Sequence, residues 1–241
     1  MKIIEKLNAK KDMMNNPPVT IAFLGDSVTQ GCFECYIDDN GGIETVFDYP
    51  SAFSSRLREI LNILYPSTQV NIINSGISGG AAPGGLWRLE RDVINYHPDL
   101  VVVSFGLNDC CNDKIPLPLY LEKIRNIVTR LREEDIEVIF LTQNMMNTKL
   151  SGHLTEPKIR ESAKLNMQRQ LDGVLAQYMT EGAAVAKECG AEICDLHSVW
   201  LQLAESGVDT TELLANKINH PIRQFHYYMA IKLIEKMFDI N

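Results

Sequence analysis

Val19-Thr-Ile-Ala-Phe-Leu-Gly-Asp-Ser-Val-Thr-Gln-Gly31 is the segment from which the architecture of this chain can be predicted. It begins with an apolar and β-branched run behind a Pro-Pro pair, a composition typical of a buried strand. The run stops at Gly25, where the chain must turn, and Ser27 follows just past the carboxyl end of the strand. In open parallel sheets that edge is where ligands bind. Ser27 and its backbone N–H are therefore expected to face a crevice, although an Asp-Ser pair in a plain turn would give the same pattern.

Four further strand-like runs follow, and helical patterns separate them. The run at 99–105 (DLVVVSF) contains a continuous apolar stretch, as expected of a strand buried on both faces. Amphipathic spacing predicts the helices, and proline residues mark several of their ends. The polar stretches 32–49 and 144–157 are predicted to be loops beside the crevice. The remaining predicted strands cover 70–73, 138–141 and 192–195. The predicted helices cover 51–64, 86–96, 120–133, 158–189 and 224–238, and the fourth of them is expected to break near Gly182.

Strands that alternate with helices at this spacing indicate βαβ units, and hence a parallel sheet with helices on both faces. We predict a three-layer α/β/α sandwich with about five parallel strands. A length of 241 residues without a linker, an internal repeat or a low-complexity tract predicts a single domain over 1–241. Residues 1–18 are expected to form an N-terminal helical extension, because Ile3, Ile4 and Leu7 fit one face of a short helix.

The composition argues against several classes of partner. The chain carries 23 basic and 31 acidic residues and a formal charge of −8, whereas nucleic acids and anionic membranes are usually met by clustered Lys and Arg. Residues 1–16 lack the apolar centre of a signal peptide, and no run of about 18 apolar residues predicts a membrane span. Six cysteines in a chain of this size do not suggest a disulfide scaffold. We therefore expect a cytoplasmic protein with no nucleic-acid or membrane partner.

Four short blocks of the sequence together resemble one known family. Gly25-Asp26-Ser27-Val28 looks like the G-D-S-[LV] block of the GDSL, or SGNH, hydrolases. Gly79 lies in an N-x-x-I-S-G context like the second block, Gly106-Leu107-Asn108-Asp109 matches the third block, G-x-N-D, and Asn219-His220-Pro221 resembles the last. The blocks occur in the family's order within 19–230, which makes the combined signal much more specific than any single block.

This resemblance implies a flavodoxin-like SGNH hydrolase fold and a serine ester hydrolase that works through an acyl-enzyme intermediate, with no metal or other cofactor. Ser27 would be the nucleophile, and His220 would be the base that accepts its proton. The backbone N–H groups of Ser27 and Gly79 and the side-chain amide of Asn108 would bind the oxyanion. Ser27 and Asn108 are expected to emerge at the same sheet edge, close in space.

Two further residues are predicted to contact the substrate. They are Asp26, beside the nucleophile, and Asn144, at the start of the stretch 144–157. The family contains many carbohydrate deacetylases, and nothing in the chain resembles a hydrophobic lid. Short-chain acyl esters, including acetyl groups on sugars, are therefore the expected substrates, and the partner would be a small-molecule or carbohydrate ester. The sequence indicates no oligomeric state.

The sequence departs from the family in its last block. The usual block is D-x-x-H, which would place an aspartate at position 217, but this chain has Lys217. The third member of a triad fixes the tautomer of the histidine and stabilises the imidazolium. A backbone carbonyl or Asn216 could hold Nδ1–H instead, whereas Asp209 and Glu212 are the nearest upstream carboxylates but do not align with the block. The sequence leaves open which group orients His220.

Two other functions fit parts of the sequence. Cys32 and Cys35 form a C-x-x-C pair, and Cys110 and Cys111 are adjacent, so four thiols near one sheet edge could hold zinc or act in redox chemistry. We predict reduced, partly buried thiols instead, because the second pair lacks the spacer typical of a zinc site. The other alternative is a protein that only binds a ligand. The strand arrangement fits a flavodoxin-like ligand binder, but no phosphate-binding motif supports it. A catalytically weakened SGNH protein that binds a carbohydrate fits better, because Lys217 replaces the acid.

Overall fold

The computed structural model describes residues 1–9, 12 and 14–240. Its strands are β1 (Val19–Gly25), β2 (Cys32–Ile37), β3 (Ile43–Phe47), β4 (Val70–Gly76), β5 (Leu100–Ser104), β6 (Glu137–Leu141) and β7 (Glu192–Cys194). Five of them form one sheet in the order β4-β1-β5-β6-β7, and every neighbouring pair is parallel. This is the order of flavodoxin-like sheets, with a topological switch point between β1 and β5. The predicted five-stranded parallel sheet is confirmed.

Helices cover both faces of this sheet and complete the predicted three layers. They are α1 (Lys2–Ala9), α2 (Ser27–Gln30), α3 (Phe53–Leu64), α4 (Ala82–Asp92), α5 (Leu117–Glu133), α6 (Pro157–Leu171), α7 (Val174–Glu188), α8 (Leu196–Glu205) and α9 (Arg223–Phe238). α3 and α9 contact each other on one face, whereas α4, α5 and α7 follow one another on the other face. Among the residues that the structure describes, no helix is long and apolar enough to cross a membrane.

The burial of the central strands explains why the sheet occupies the middle of the molecule. Every residue of β5 is buried, and so is β1 from Ile21 onwards. Continuous burial fits strands that have helices on both faces. Aromatic side chains join the layers, since the Phe23 ring on β1 meets the Phe53 ring on α3 edge-on at 5.5 Å. Burial of each such side chain stabilises the fold by about 2 kcal/mol.

Three helical predictions differ from the structure. The break in the long helical pattern lies at Gly173, where φ is 75°, and not near Gly182. Gly182 lies inside α7 because Tyr120 packs against it, so that a Cβ there would stand 2.5 Å from the Tyr120 hydroxyl. α4 begins at Ala82 rather than at 86, because Pro83 and two glycines that look like a loop form its first turn. α8 is missing from the prediction, since only one residue separates it from β7.

The predicted loop 32–49 is largely a β-hairpin. β2 and β3 pair antiparallel and form a two-stranded sheet of their own. Charged residues within both strands hide the pattern that a half-buried strand usually shows. One face of the hairpin packs on a small apolar cluster, in which Cys35 and Ile37 of β2 lie against Ile159 of α6 and Ile218. This contact holds the hairpin beside the polar stretch that precedes α9.

Only part of the predicted N-terminal extension 1–18 is helical. α1 covers Lys2–Ala9 and buries Ile3 and Leu7 in the main core, as their spacing predicts. Residues 12 and 14–18 are not helical, and positions 10, 11 and 13 lie outside the described residues.

Candidate active site

Three strands of the sheet end side by side, and the site lies where they end. Gly25 of β1 pairs in register with Gly76 of β4 and with Ser104 of β5. The segments that leave these strands therefore start next to one another, at the edge where parallel sheets bind ligands. The residues predicted to be catalytic line one pocket of about 190 Å³ there: Ser27, Gly79, Asn108 and His220.

Ser27 is the first residue of the short helix α2 and faces this pocket. Its hydroxyl oxygen lies 2.9 Å from Nε2 of His220, a hydrogen-bonding distance. Only 5% of the residue is exposed. A buried serine hydroxyl beside a ring nitrogen of histidine has the geometry that proton transfer to the ring requires.

Asp26 lies beneath Ser27 rather than in the pocket. It is fully buried, and one carboxylate oxygen accepts the backbone N–H of Val28 at 3.0 Å while the other accepts Nε2–H of Gln143 at 2.7 Å. Burial raises the pKa of this carboxyl to about 6, against the effect of these hydrogen bonds. The prediction that Asp26 contacts substrate does not fit this position. Its carboxyl instead caps α2 and holds the turn that presents Ser27.

Asn144 does not face the pocket either. It is fully buried, and its side-chain amide donates to the carbonyl oxygens of Met145 and Asn219, each at 2.8 Å. Asn219 directly precedes His220. The predicted contact of Asn144 with substrate therefore does not fit, and the side chain ties the segment after β6 to the loop that carries His220.

Gly79 and Asn108 bring N–H groups to the pocket. Gly79 has a φ of 73°, which favours glycine, and a Cβ there would meet no atom within 4 Å. The Asn108 side-chain amide donates one hydrogen bond to the carbonyl of Gly80 at 2.9 Å. Because an amide carries two hydrogens, the second stays available to the pocket that Asn108 lines. N–H donors beside a nucleophile are the groups that an oxyanion requires.

The His220 ring is held through its second nitrogen. Nδ1 lies 2.9 Å from the backbone carbonyl oxygen of Phe33 on β2, and a carbonyl accepts only if Nδ1 carries the proton. Nε2 is then the nitrogen that accepts from Ser27. Burial lowers the pKa of His220 to about 4, although the Phe33 carbonyl and the charge of Glu34 oppose this shift. The imidazole is therefore neutral near pH 7, the form that a general base needs.

The carboxylates near the last block lie elsewhere. Lys217, at the position of the family's aspartate, donates to a carboxylate oxygen of Glu212 at 2.8 Å. Asp209 forms an ion pair with Lys149. Of the two alternatives that the sequence leaves open, the backbone carbonyl is the one that reaches Nδ1 of His220.

Asn216 shapes the loop that carries His220 and does not touch the ring nitrogen. Its side-chain oxygen accepts the backbone N–H groups of Ile218, Asn219 and His220 at 2.9–3.0 Å. Its amide donates to the side-chain oxygen of Asn219 at 3.0 Å and lies 3.5 Å from the Cys35 sulfur. Asn216 thus supports His220 through the backbone.

Two groups that build the site are absent from the residues predicted from the sequence. Arg88 is buried in α4 and donates to the carbonyl oxygens of Gly25 and Ser75, so it joins the ends of β1 and β4. An arginine between the apolar positions Leu86 and Leu89 is ordinarily expected on the exposed side of such a helix, so its burial leaves no signal in the sequence. The Phe33 carbonyl is a backbone group and leaves no signal either.

The two cysteine pairs do not come together into one cluster of ligands. All six thiols are free, and burial raises the pKa of Cys32 to about 11. Within the described ranges, no group of three or more His, Cys, Asp or Glu side chains is placed to hold a metal ion. Cys35 is the cysteine that lines the pocket.

The rest of the pocket wall is mainly polar. The β2–β3 hairpin forms one side, and the loop before α9 forms another. The lining residues apart from the predicted catalytic set are Cys35, Ile43, Glu44, Thr45, Ser78, Ser162, Asn216, Ile218 and Asn219.

Several solved structures share this fold at low sequence identity. The acetyl xylan esterase AlAXEase has a TM-score of 0.66 and 19% identity over 90% of this chain and 98% of that one. LAE5, an alpha/beta hydrolase enzyme from the metagenome of Lake Arreo, has a TM-score of 0.66 and 19% identity over 92% and 96% of the two chains. A two-domain esterase active on acetylated mannans has a TM-score of 0.63 and 16% identity over 98% of this chain and 53% of that one.

A curated relative and a family match extend this likeness to the sequence. The acetylxylan esterase of Geobacillus stearothermophilus is 29% identical over 103 residues, which are 43% of this chain and 45% of that protein. The match therefore spans less than half the length of either protein. The GDSL-like lipase/acylhydrolase family matches residues 23–226, a range that includes all four sequence blocks. The chain therefore belongs to the GDSL-like lipase/acylhydrolase family.

Proposed function

We propose that this protein is a serine ester hydrolase that removes short acyl groups, acetyl above all, from carbohydrates. The observation that carries the proposal is the 2.9 Å contact between Ser27 Oγ and His220 Nε2 in a pocket that Gly79 and Asn108 also line. Acyl transfer needs a nucleophile, a base and donors for the oxyanion, and these residues would supply all three. The proposal includes no cofactor.

In the first half of the reaction, Ser27 Oγ attacks the ester carbonyl carbon while Nε2 of His220 accepts the hydroxyl proton. The electron pair of the carbonyl moves to its oxygen, which the N–H groups of Ser27, Gly79 and Asn108 bind. Each such donor lowers the barrier by about 3 kcal/mol. The adduct collapses when the bond to the sugar oxygen breaks, and that oxygen takes the proton from the His220 imidazolium.

In the second half, water attacks the acyl carbon of the Ser27 ester and gives a proton to Nε2 of His220. The bond between the acyl carbon and Oγ then breaks, Ser27 regains its proton, and the carboxylic acid leaves. The Phe33 carbonyl keeps the proton on Nδ1 during both halves, because it accepts that N–H at 2.9 Å. Only Nε2 therefore exchanges protons.

The size and polarity of the pocket support a short acyl group on a polar alcohol. Its volume of about 190 Å³ is below the usual range for ligand pockets, about 300–1,000 Å³. Hydroxyl and amide groups such as Thr45, Ser162 and Asn219 line it, whereas a long acyl chain needs an apolar groove. Relatives with acetylated xylan or mannan as substrates support the same choice.

Hydrolysis of p-nitrophenyl acetate, butyrate and octanoate tests the reaction and the acyl length. We expect the acetate ester to react fastest, and both Ser27→Ala and His220→Ala to lower kcat by about 10³-fold or more. Ser206→Ala and His97→Asn replace exposed residues outside the pocket and serve as controls, with asparagine chosen because His97 has a φ of 48°. Undiminished hydrolysis by Ser27→Ala would contradict the mechanism.

The sugar is tested with acetylated xylooligosaccharides and mannooligosaccharides, by measuring released acetate. Release from these substrates at a higher kcat/KM than from p-nitrophenyl acetate is the expected result. A wild-type protein that hydrolyses no ester but binds the same oligosaccharides in calorimetry would instead be the non-catalytic carbohydrate-binding protein that Lys217 suggested.

We also propose a cytoplasmic location without a nucleic-acid or membrane partner. The net charge of −8 and the six free thiols support it, because free thiols persist in reducing compartments. Cell fractionation with immunodetection tests the location, and recovery in the membrane or secreted fraction would contradict it.

A further inference from the structure

Three charged side chains form a cluster next to the residue that orients His220. Arg223, the first residue of α9, donates to both carboxylate oxygens of Glu34, at 2.6 and 3.0 Å. Its Nε donates to a carboxylate oxygen of Asp48 at 2.7 Å. Two carboxylates thus share one guanidinium, so two negative charges and one positive charge leave the cluster with a net charge of −1.

The same cluster holds Phe33 in place. The Arg223 guanidinium lies over the Phe33 ring, 4.3 Å from its centroid. The His226 ring also packs against the Phe33 ring, with the two ring centroids 4.8 Å apart. The carbonyl of Phe33 and the N–H of Glu34 belong to one planar peptide unit. The bidentate pair between Glu34 and Arg223 therefore fixes the peptide whose oxygen contacts Nδ1 of His220.

We propose that the cluster of Arg223, Glu34 and Asp48 replaces the third acid of the catalytic triad. It would position the Phe33 carbonyl on His220 and supply the negative charge that stabilises the imidazolium. A triad aspartate performs both tasks with one side chain. Here the carbonyl accepts the hydrogen bond, and the neighbouring carboxylates provide the charge. The inference rests on the proposed function, because the imidazolium forms only when His220 accepts the proton of Ser27.

Other titratable groups around the ring do not supply this charge. Burial lowers the pKa of His226 to about 3 and raises the pKa of Cys35, so both are neutral near pH 7. Asp26 lies under Ser27, where Val28 and Gln143 bind its oxygens, and its charge does not shift the pKa of His220. Glu44 lines the wall of the pocket. Arg56 lies near His226 and forms an ion pair with Glu59. The charge that raises the pKa of His220, against the effect of burial, is that of Glu34.

Glu34→Gln removes the charge and nearly keeps the shape of the side chain. We expect kcat/KM for p-nitrophenyl acetate at pH 7 and low ionic strength to fall about fivefold. The acid limb of the pH profile is expected to move to lower pH, because His220 loses the group that raises its pKa. The Glu34 side chain is 47% exposed, so about 0.5 M NaCl should shrink the difference from wild type.

Three further variants separate charge from geometry. Asp48→Asn removes the same charge at the other end of Arg223, and it should move the acid limb in the same direction. Arg223→Lys keeps the positive charge but cannot form the bidentate hydrogen bond to Glu34. It should therefore lower kcat and leave the acid limb of the pH profile in place. Glu59→Gln breaks a comparable pair, in which Arg56 contacts both oxygens at 3.0 Å, and should change neither readout.

Titration of the His220 ring protons by NMR gives a readout that needs no activity. We expect the midpoint in Glu34→Gln to lie below that of wild type. A wild-type protein that hydrolyses no ester would contradict the proposed function, while this titration would still test the charge. Equal His220 midpoints and equal salt dependence in Glu34→Gln and wild type would overturn the inference. If Glu34→Gln does not fold, the same comparison with Asp48→Asn decides.

Discussion

Gly79 and Gly173 have the same unusual backbone conformation, but only Gly79 is proposed to donate its N–H to the oxyanion. Alanine variants of the two therefore distinguish backbone strain from the loss of an N–H donor. Their φ angles are 73° and 75°, and at neither position would a Cβ meet an atom within 4 Å. An alanine at either position should therefore cost a similar strain of about 1 kcal/mol. Only Gly79 lines the pocket. The two residues thus differ in their position relative to the reaction and not in their backbone.

We expect Gly79→Ala to lower kcat/KM for p-nitrophenyl acetate by about tenfold, because a shift of the backbone displaces its N–H from the oxyanion. Gly173→Ala should keep wild-type kinetics. Thermal unfolding followed by circular dichroism should show similar losses of stability in both variants. An equal loss of activity in the two proteins would contradict an oxyanion function for Gly79.

Asp109 is a buried carboxyl that should make stability depend on pH. One of its oxygens accepts the backbone N–H of Ala82 at 2.8 Å, and the other has no hydrogen-bond partner. Burial raises its pKa from 3.8 to about 7. Between these pH values the folded protein holds a proton that the unfolded chain has lost. The contribution of Asp109 to the free energy of unfolding is thus fully present below pH 3.8 and is lost as the pH rises through 7.

Asp109→Asn removes this titration and keeps the acceptor for Ala82. We expect the variant to be more stable than wild type at pH 8.5, by on the order of 3 kcal/mol, and to lose this advantage at acid pH. Urea unfolding at several pH values measures the difference. Asp113→Asn, at a side chain that is 91% exposed, is the control. An advantage of Asp109→Asn that does not change with pH would contradict the assignment.

At the scale of residues, the sequence predicts side-chain chemistry better than it predicts orientation. Ser27 and His220 were identified from motif blocks, and the structure brings them within 2.9 Å. Asp26 and Asn144 adjoin the right segments but point into the protein, because successive side chains in a turn face different directions. The Phe33 carbonyl could not be predicted, since every residue has one and only the tertiary contact selects it.

The loop between Leu213 and α9 behaves as one element because Asn216 holds it together. A single side-chain oxygen accepts three consecutive backbone N–H groups, the last of them from His220. We expect Asn216→Ala to leave these donors unpaired, to lower stability by about 2 kcal/mol and to reduce kcat more than KM. Thermal unfolding and steady-state kinetics measure both effects.

Asn216→Asp is the matched variant, because it keeps the oxygen that accepts the three N–H groups and replaces the amide group by a second, charged carboxylate oxygen. It should retain more of the stability and of kcat than Asn216→Ala does. Wild-type kcat in Asn216→Ala would show that the loop positions His220 without this side chain.

At the scale of elements, predictions succeed where one pattern runs through the whole element. β5 is apolar from Leu100 to Val103, and α9 has a continuous helical pattern within one residue of its predicted start. The hairpin is read as a loop because β3, which is IETVF in sequence, has four of its five residues exposed. The break at Gly173 was misplaced because Gly182 is the one that makes the close packing contact with Tyr120. Such contacts between distant elements are not visible in local patterns.

At the scale of the whole molecule, the site depends on contacts across the length of the chain. The sheet order follows from the alternation of strands and helices, so the meeting of Ser27 and Asn108 could be predicted. The docking of the hairpin on α9 could not, because Phe33 and Arg223 are 190 positions apart and their contact depends on the finished fold. The Phe33 carbonyl, which orients His220, likewise depends on a contact that forms only in the finished fold.

Two of the three buried histidines, His220 and His226, link the fold to acid pH. Nδ1 of His226 accepts the backbone N–H of Phe53 at 3.1 Å and so joins α9 to α3. Burial lowers the pKa of His220 from 6.5 to about 4 and that of His226 from 6.5 to about 3. Below pH 6.5 the unfolded chain binds protons that the folded protein excludes. Their contribution to the free energy of unfolding is therefore present above pH 6.5 and is lost as the pH falls towards 4 and 3.

Activity and stability should consequently respond differently to acid. Between pH 7 and pH 5 we expect kcat/KM to change less than about twofold, because His220 stays neutral, whereas the two histidines lose part of their contribution to stability and Asp109 gains its own. His226→Asn keeps an acceptor for Phe53 but does not titrate, so its melting temperature relative to that of wild type should be higher at pH 5 than at pH 7. His97→Asn, at an exposed histidine, is the control. An acid limb near pH 6.5 in a protein that circular dichroism shows to be folded would contradict the low pKa of His220. It would also mean that the charge of Glu34 outweighs the effect of burial.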